Sequence, residues 1–143
     1  LDGTYLLQWK RQFDGTPYTS VLSNDISGPV PRWKHRATFD WLYADWGATL
    51  SQSLQSGYTD ANVDRLGTPL DVPPRRVASY LLTDIQVRYE GFRHITLALG
   101  IRNLMDSAPP FSNQPYTRQV GYDPNYADPR LRAFYARVSY TFD

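Results

Sequence analysis

Apolar and polar residues alternate with a period of two over long stretches of this sequence, and the 3.6-residue period of an amphipathic helix is almost absent. A period of two places successive side chains on opposite faces of an extended strand. Six strands are expected on this basis. The first runs from about Thr4 to Phe13, with Tyr5, Leu7 and Trp9 on one face and Gln8 and Lys10 on the other. The second runs from about Trp33 to Tyr43, where Ala37, Phe39 and Trp41 alternate with Arg36, Thr38 and Asp40. The third runs from Trp46 to about Tyr58, with Ala48, Leu50 and Leu54 opposing Thr49, Ser51, Ser53 and Gln55, and Gln52 as a polar misfit. The fourth spans about Val77 to Tyr89, with Ile85, Val87 and Tyr89 opposing Asp84, Gln86 and Arg88. The fifth, from His94 to Leu104, is the cleanest: Ile95, Leu97, Leu99 and Ile101 share one face. The sixth, from Leu131 to Phe142, sets Phe134, Ala136, Val138, Tyr140 and Phe142 against Tyr135, Arg137, Ser139 and Thr141.

Strands of about ten residues exceed the five to six usual in soluble proteins. They match the nine to eleven that a tilted strand needs to cross a bilayer. Mean hydropathy is −0.51, and no apolar run is long enough for a membrane helix. That excludes a helical membrane protein and leaves a membrane barrel open, because barrel strands keep half their residues away from lipid.

The connections alternate in length. Tight turns are expected near Ala44 and Asp45 and around Glu90, Gly91 and Phe92. Long links run from about Asp14 to Arg32, Thr59 to Arg76 and Met105 to Arg130, rich in Pro, Gly, Asn and Asp. Short turns on one side and long loops on the other are the pattern of outer-membrane barrels. Compact soluble domains rarely carry three such loops. Aromatic residues make up 15% of the chain and gather at strand ends. Trp41, Tyr43, Trp46, Tyr89, Phe92 and Phe142 lie beside the short turns or the C-terminus, and Trp33, Tyr58 and Tyr80 near the long loops. Two interfacial girdles would look like this, and so would the packed aromatics of a soluble β-sandwich.

Composition removes several function classes. Fifteen Lys+Arg against fourteen Asp+Glu give a formal charge of +1, with no support for a nucleic-acid partner. No cysteine is present, so disulfide frameworks, thiolate metal sites and cysteine nucleophiles are excluded. The sequence contains no Gly-x-Ser-x-Gly elbow, phosphate loop or His-Glu-x-x-His motif, so no enzymatic role and no catalytic residue is expected. His35 and His94 fall near opposite strand ends and do not suggest a shared metal site. The loop acids Asp60, Asp64, Asp71, Asp123 and Asp128 lack the ligand spacing of a calcium loop. No metal or cofactor is expected.

The stretch Gly100-Ile101-Arg102-Asn103-Leu104-Met105-Asp106, followed by Pro109-Pro110-Phe111-Ser112-Asn113-Gln114, resembles the penultimate strand and last loop of TonB-dependent outer-membrane receptors. Gly121-Tyr122-Asp123-Pro124-Asn125-Tyr126-Ala127-Asp128-Pro129-Arg130 is similar to the loop before the final strand in one proteobacterial branch. Pro29-Val30-Pro31-Arg32-Trp33-Lys34-His35 looks like the same branch. The ending Arg137-Val138-Ser139-Tyr140-Thr141-Phe142 resembles the C-terminal signal read by the barrel-assembly machinery, carried by Val138, Tyr140 and Phe142. Met105 replaces the family's usual Phe, and Asp143 follows the terminal aromatic.

The resemblance implies an all-β, antiparallel, up-and-down transmembrane barrel. Residues 1–143 would be the last six strands of about 22, the size of the plugged transporters. The chain opens at Leu1 and reads as a piece whose plug domain and earlier strands lie elsewhere. The implied function is TonB-dependent uptake of a scarce ligand (siderophore, cobalamin or glycan) across the bacterial outer membrane. The implied partners are outer-membrane lipid, lipopolysaccharide, the barrel-assembly machinery, TonB through the plug, and an unidentified small molecule. Lys10, Arg36, Asp40, Asp84, Arg88, Arg102 and Arg137 would face the lumen, with Arg88 close enough to Asp84 to pair. The loop residues Tyr18, Phe111, Tyr116, Tyr122 and Tyr126 offer stacking surfaces, and Arg75 and Arg76 could meet an anionic ligand or phosphate. A passive porin and a soluble carbohydrate-binding sandwich are the other readings of the same alternation.

Overall fold

The computed structural model describes residues 1–12, 14–15, 17–20, 28–60, 68, 71, 73, 75–114 and 121–142. Ten strands run in chain order: β1 (Asp2–Tyr5), β2 (Lys10–Arg11), β3 (Thr19–Ser20), β4 (Trp33–Tyr43), β5 (Trp46–Gln55), β6 (Tyr58–Thr59), β7 (Arg76–Val77), β8 (Tyr80–Phe92), β9 (Ile95–Arg102) and β10 (Ala133–Tyr140). Six of them form one antiparallel sheet in the order β1-β4-β5-β8-β9-β10. Each strand lies beside the next one in the chain that belongs to the sheet, which is the up-and-down connection the alternation predicts. The pairs β2–β3 and β6–β7 are separate two-stranded ribbons.

Register lines the apolar positions into rows across the sheet. Phe39, Leu50, Ile85, Ile101 and Phe134 are successive partners on β4, β5, β8, β9 and β10. Trp41, Ala48, Val87, Leu99 and Ala136 form the next row, and Tyr43, Trp46, Tyr89, Leu97 and Val138 the one after. The opposite face carries the row Asp40, Thr49, Gln86, Gly100 and Tyr135, and then Leu42, Gly47, Arg88, Ala98 and Arg137. A slip of one residue would exchange the two faces, so these unbroken rows define the register.

Nothing covers the apolar rows among the described residues. Phe39 is 67% exposed, Leu99 65% and Phe134 73%. A sandwich would bury such a face against a second sheet. Here the sheet is a single layer, and its buried apolar core is small and lies at one end, formed by Tyr58, Val77, Tyr80, Tyr126 and Ala127.

At the other end the short turns close two hairpins. Ala44 and Asp45 join β4 to β5, with Ala44 in the left-handed region at φ 49°. The second turn falls at Arg93 and His94 rather than around Glu90–Phe92. β8 continues through a bulge between Tyr89 and Phe92, Phe92 pairs with Ile95, and His94 takes φ 64°. Phe92 stays on the strand because its ring meets Tyr89 edge-on at 5.1 Å.

Three strand boundaries also differ from those expected. The first strand is broken: β1 pairs with β4 only as far as Tyr5, and Lys10 belongs to the β2–β3 ribbon. Lys10 is therefore outside the six-stranded sheet and not on its polar face. The third and fourth strands are shorter at their outer ends, because Tyr58–Thr59 and Arg76–Val77 turn away to pair with each other. A Cβ on Gly57 would collide with the Val77 carbonyl oxygen, so glycine permits that close crossing.

Candidate functional site

The polar face and the outer loops are the two surfaces on which sequence places candidate residues. On the polar face, Arg36, Thr49, Ser51, Asp84, Gln86, Arg102, Tyr135 and Arg137 line one concave trough of about 740 Å³. Four of the lumen-facing candidates, Arg36, Asp84, Arg102 and Arg137, are thus brought together. Arg88 and Asp40 lie on the same face but outside that lining. Arg88 does not pair with Asp84; its Nε lies 3.4 Å from Glu90 Oε1, two residues along its own strand. Asp40 accepts a hydrogen bond from Thr49 Oγ1 at 2.6 Å, across β4–β5.

Asp84 instead ends the neighbouring strand. Its Oδ1 accepts from the backbone N–H of Asn103 at 2.8 Å. Asn103 sits at φ 52°, a conformation asparagine tolerates better than most residues. Its side chain bonds Ser107 in both directions, Nδ2 donating to the Ser107 carbonyl and Oδ1 accepting from the Ser107 N–H. Asp106 Oδ1 then accepts from the Arg132 N–H and ties down the entry to β10. The motif Arg102-Asn103-Leu104-Met105-Asp106 is therefore a strand-terminating turn in which the Asn103 and Asp106 side chains satisfy backbone.

At the long-loop end, the segments after β5 and after β9 pack together. Tyr126 is 3% exposed, and its Oη lies 2.9–3.0 Å from the carbonyl oxygens of Gln55, Ser56 and Ala78. Gln55 Nε2 donates to the Tyr126 carbonyl at 2.9 Å. Tyr58 packs edge-on to Tyr126 at 4.8 Å, and Tyr80 Oη donates to the Asp128 carbonyl. Asp60 accepts from Ser112 Oγ and from the Asn113 N–H, both at 2.7 Å. Burial pushes the Tyr126 hydroxyl up to about 12 and raises Tyr58 as well. Asp123 is raised too, chiefly by burial and then by the nearby Asp60 charge; its Oδ1 accepts from the Asn125 N–H, and its Oδ2 is buried without a hydrogen-bond partner among the described residues.

This packing corrects three expectations. Tyr126 is an internal anchor and offers no stacking surface. Tyr58 and Tyr80 are buried at 3% and 5% exposure and do not belong to an outer aromatic girdle. Trp33 remains at that end, half-buried, donating from Nε1 to His35 Nδ1 at 2.9 Å.

The other loop candidates are at the surface. Arg75 stacks its guanidinium 4.3 Å above the Phe111 ring, with Phe111 49% exposed. Arg76 and Tyr18 are exposed, and Tyr122 is partly so. Tyr116 and Asp64 lie outside the described residues. Asp128 is held near 2 by the fork of Arg130, whose Nε and Nη2 both reach the carboxylate. No group of three or more metal-ligating side chains occurs among the described residues. Sequence reading named Asp60, Ser112 and Asn103 in loop motifs but assigned none of them the structural role they have here.

The short-turn end carries the aromatic band that was expected there. Trp41 stacks on Tyr43 at 6.0 Å, Trp46 meets Tyr89 at 4.7 Å, and Tyr140 meets Phe142 at 4.8 Å. Val138 and Phe142 are 69% and 85% exposed on the same strand end, and Thr141 N–H continues the ladder to the His94 carbonyl.

The six strands form a single-layer, up-and-down antiparallel sheet with one apolar face, an aromatic band at one end and long loops at the other. No family model and no curated protein matches the sequence. Among solved structures, the chain is similar to the ferric enterobactin receptor of Pseudomonas aeruginosa, determined as a point mutant. The two superpose with a TM-score of 0.60 at 19% identity, over 87% of this chain and 19% of the receptor. At that identity the likeness is one of fold: the six strands correspond to a section of that receptor's barrel, and the sheet is open.

Proposed function

We propose that the chain is the C-terminal wall segment of a TonB-dependent receptor, which takes up a scarce ligand such as a siderophore across the bacterial outer membrane. The observation that carries this reading is the bare apolar face bounded by the aromatic band. Rows headed by Phe39, Trp41 and Tyr43 suit hydrocarbon grading into headgroups, where amphipathic rings gain most. The likeness to a solved siderophore receptor supports the same reading, as do the motifs around Asn103 and Tyr126. In it, the segment supplies wall, outward loops and the Val138–Tyr140–Phe142 assembly signal, and no catalysis. TonB acts on the plug, which this segment does not contain; lipid and lipopolysaccharide surround the apolar face.

The test is made in the whole parent polypeptide, in cells that express it. Enrichment in the outer membrane, a heat-modifiable band, and uptake of iron-loaded siderophores that ceases when TonB is removed are expected. Outer-membrane assembly with TonB-independent flux would favour a porin. A parent that is soluble without detergent would overturn the barrel reading.

A further inference from the structure

We infer that the described parts of the loop after β5 and of the loop after β9 form one preassembled outward body, pinned by Tyr126, that presents Arg75, Phe111 and Tyr122 before any ligand arrives. The inference rests on the receptor reading in calling these loops outward. The alternative is that two long loops move independently and meet only around a ligand. The contacts argue against independence, because two of the three are buried and polar and one of these is reciprocal.

Tyr126 comes from the later loop, yet its hydroxyl sits among carbonyls from the end of β5 and from Ala78 at the entry to β8. One O–H lies among three acceptors, so its withdrawal removes a donor from a buried cluster of carbonyls. Gln55 returns a bond to the Tyr126 backbone, which fixes the chain as well as the ring. A second tie, Asp60 to Ser112 and Asn113, lies farther along both loops and includes two residues at 3% and 1% exposure. The third is at the surface, where Arg75 of the first loop covers Phe111 of the second. Three ties of different chemistry at successive points along two segments leave no hinge between them among the described residues. The outer pair Arg75 and Phe111 is thus set by the inner pin: a cation already seated on an aromatic face, with the guanidinium edge and half the ring free for a ligand that is both anionic and planar.

The experiment places spin labels at T59C and A108C, two exposed positions on the two loops, in the full receptor in outer-membrane vesicles without ligand. A single narrow distance distribution is expected, and Tyr126→Phe, which keeps the ring and removes the hydroxyl, should broaden it while heat-modifiability is unchanged. A broad distribution in the parent, or one that Tyr126→Phe leaves narrow, overturns the inference. Should Tyr126→Phe fail to assemble, Gln55→Ala and Ser112→Ala decide: both must broaden the distribution, and a narrow one in either overturns it. Loss of the receptor reading would be seen separately, as absence of the protein from the outer membrane.

Discussion

The ring of Tyr135 lies flat over Gly100, its direct partner across β9 and β10, and its hydroxyl reaches Gln86 Oε1 one strand further at 3.0 Å. A strand glycine leaves backbone uncovered, and an aromatic partner on the neighbouring strand can fill that space. Here the filled space is on the polar face, and the ring spans three strands.

Gly100→Val should therefore displace Tyr135, because any Cβ at that position falls inside the ring. A loss of about 1–3 kcal/mol in barrel stability is expected, the usual range for overpacking. Urea unfolding in detergent or vesicles measures it. The pair Gly100→Val with Tyr135→Ala should cost less than the sum of the single changes, since the collision is then removed.

The two faces predict opposite outcomes for one substitution. Leu99 and Leu42 are both exposed leucines, at 65% and 70%, but Leu99 lies in an apolar row and Leu42 shares a row with Arg88 and Arg137. Leu99→Arg should cost about 2–4 kcal/mol in a bilayer, the range for a cation facing lipid near mid-depth. Leu42→Arg should fold near normally. Equal effects of the two substitutions on heat-modifiable assembly would contradict the facing described above.

Asn103→Ala should loosen the last loop. It removes the two side-chain bonds to Ser107 and puts alanine at φ 52°. A loss of about 1–3 kcal/mol is expected from the unsatisfied backbone and the strained turn. Asn103→Gly restores the conformation without the bonds and should fall between. Limited proteolysis between Met105 and Arg130 reads the order directly.

Two loop acids should respond to pH in opposite senses. Asp128 is depressed to about 2 by Arg130, so its contribution is present above the ordinary carboxylate range and disappears as pH falls through about 2. Asp123 is raised, mainly by burial, so its ionised form is disfavoured in the folded loop. Its effect is most favourable when protonated and is lost as pH rises through its folded value. Asp123→Asn keeps an acceptor for the Asn125 N–H and should flatten that rise. Loop protection from hydrogen exchange, measured from below about pH 2 up to pH 8 in the parent and in the variant, checks both signs.

Strand identity was legible because period two is a local property: β4 appears with the boundaries read from its alternation, Trp33 to Tyr43, and the hairpin turn at Ala44–Asp45 follows. Face assignment was equally legible, since parity alone separates Phe39 from Asp40. The loop core was not. Tyr58, Tyr80 and Tyr126 carry the same side chain as the girdle residues, and only long-range packing decides whether a tyrosine meets lipid or a cluster of carbonyls. Charge pairing failed for a simpler reason. Arg88 and Asp84 share a strand face but stand four residues, about 13 Å, apart along β8, whereas Glu90 is only two residues from Arg88.

A sheet one layer thick has no interior of its own. In the receptor proposed above, the rows through Phe39, Trp41 and Tyr43 would find their dry side in hydrocarbon, and the trough around Arg102 its wet side in whatever fills the barrel. The folding free energy of this segment is consequently a property of its surroundings as much as of its sequence. Exchanging a long-chain detergent for a short one should shift its unfolding midpoint more than most single substitutions do.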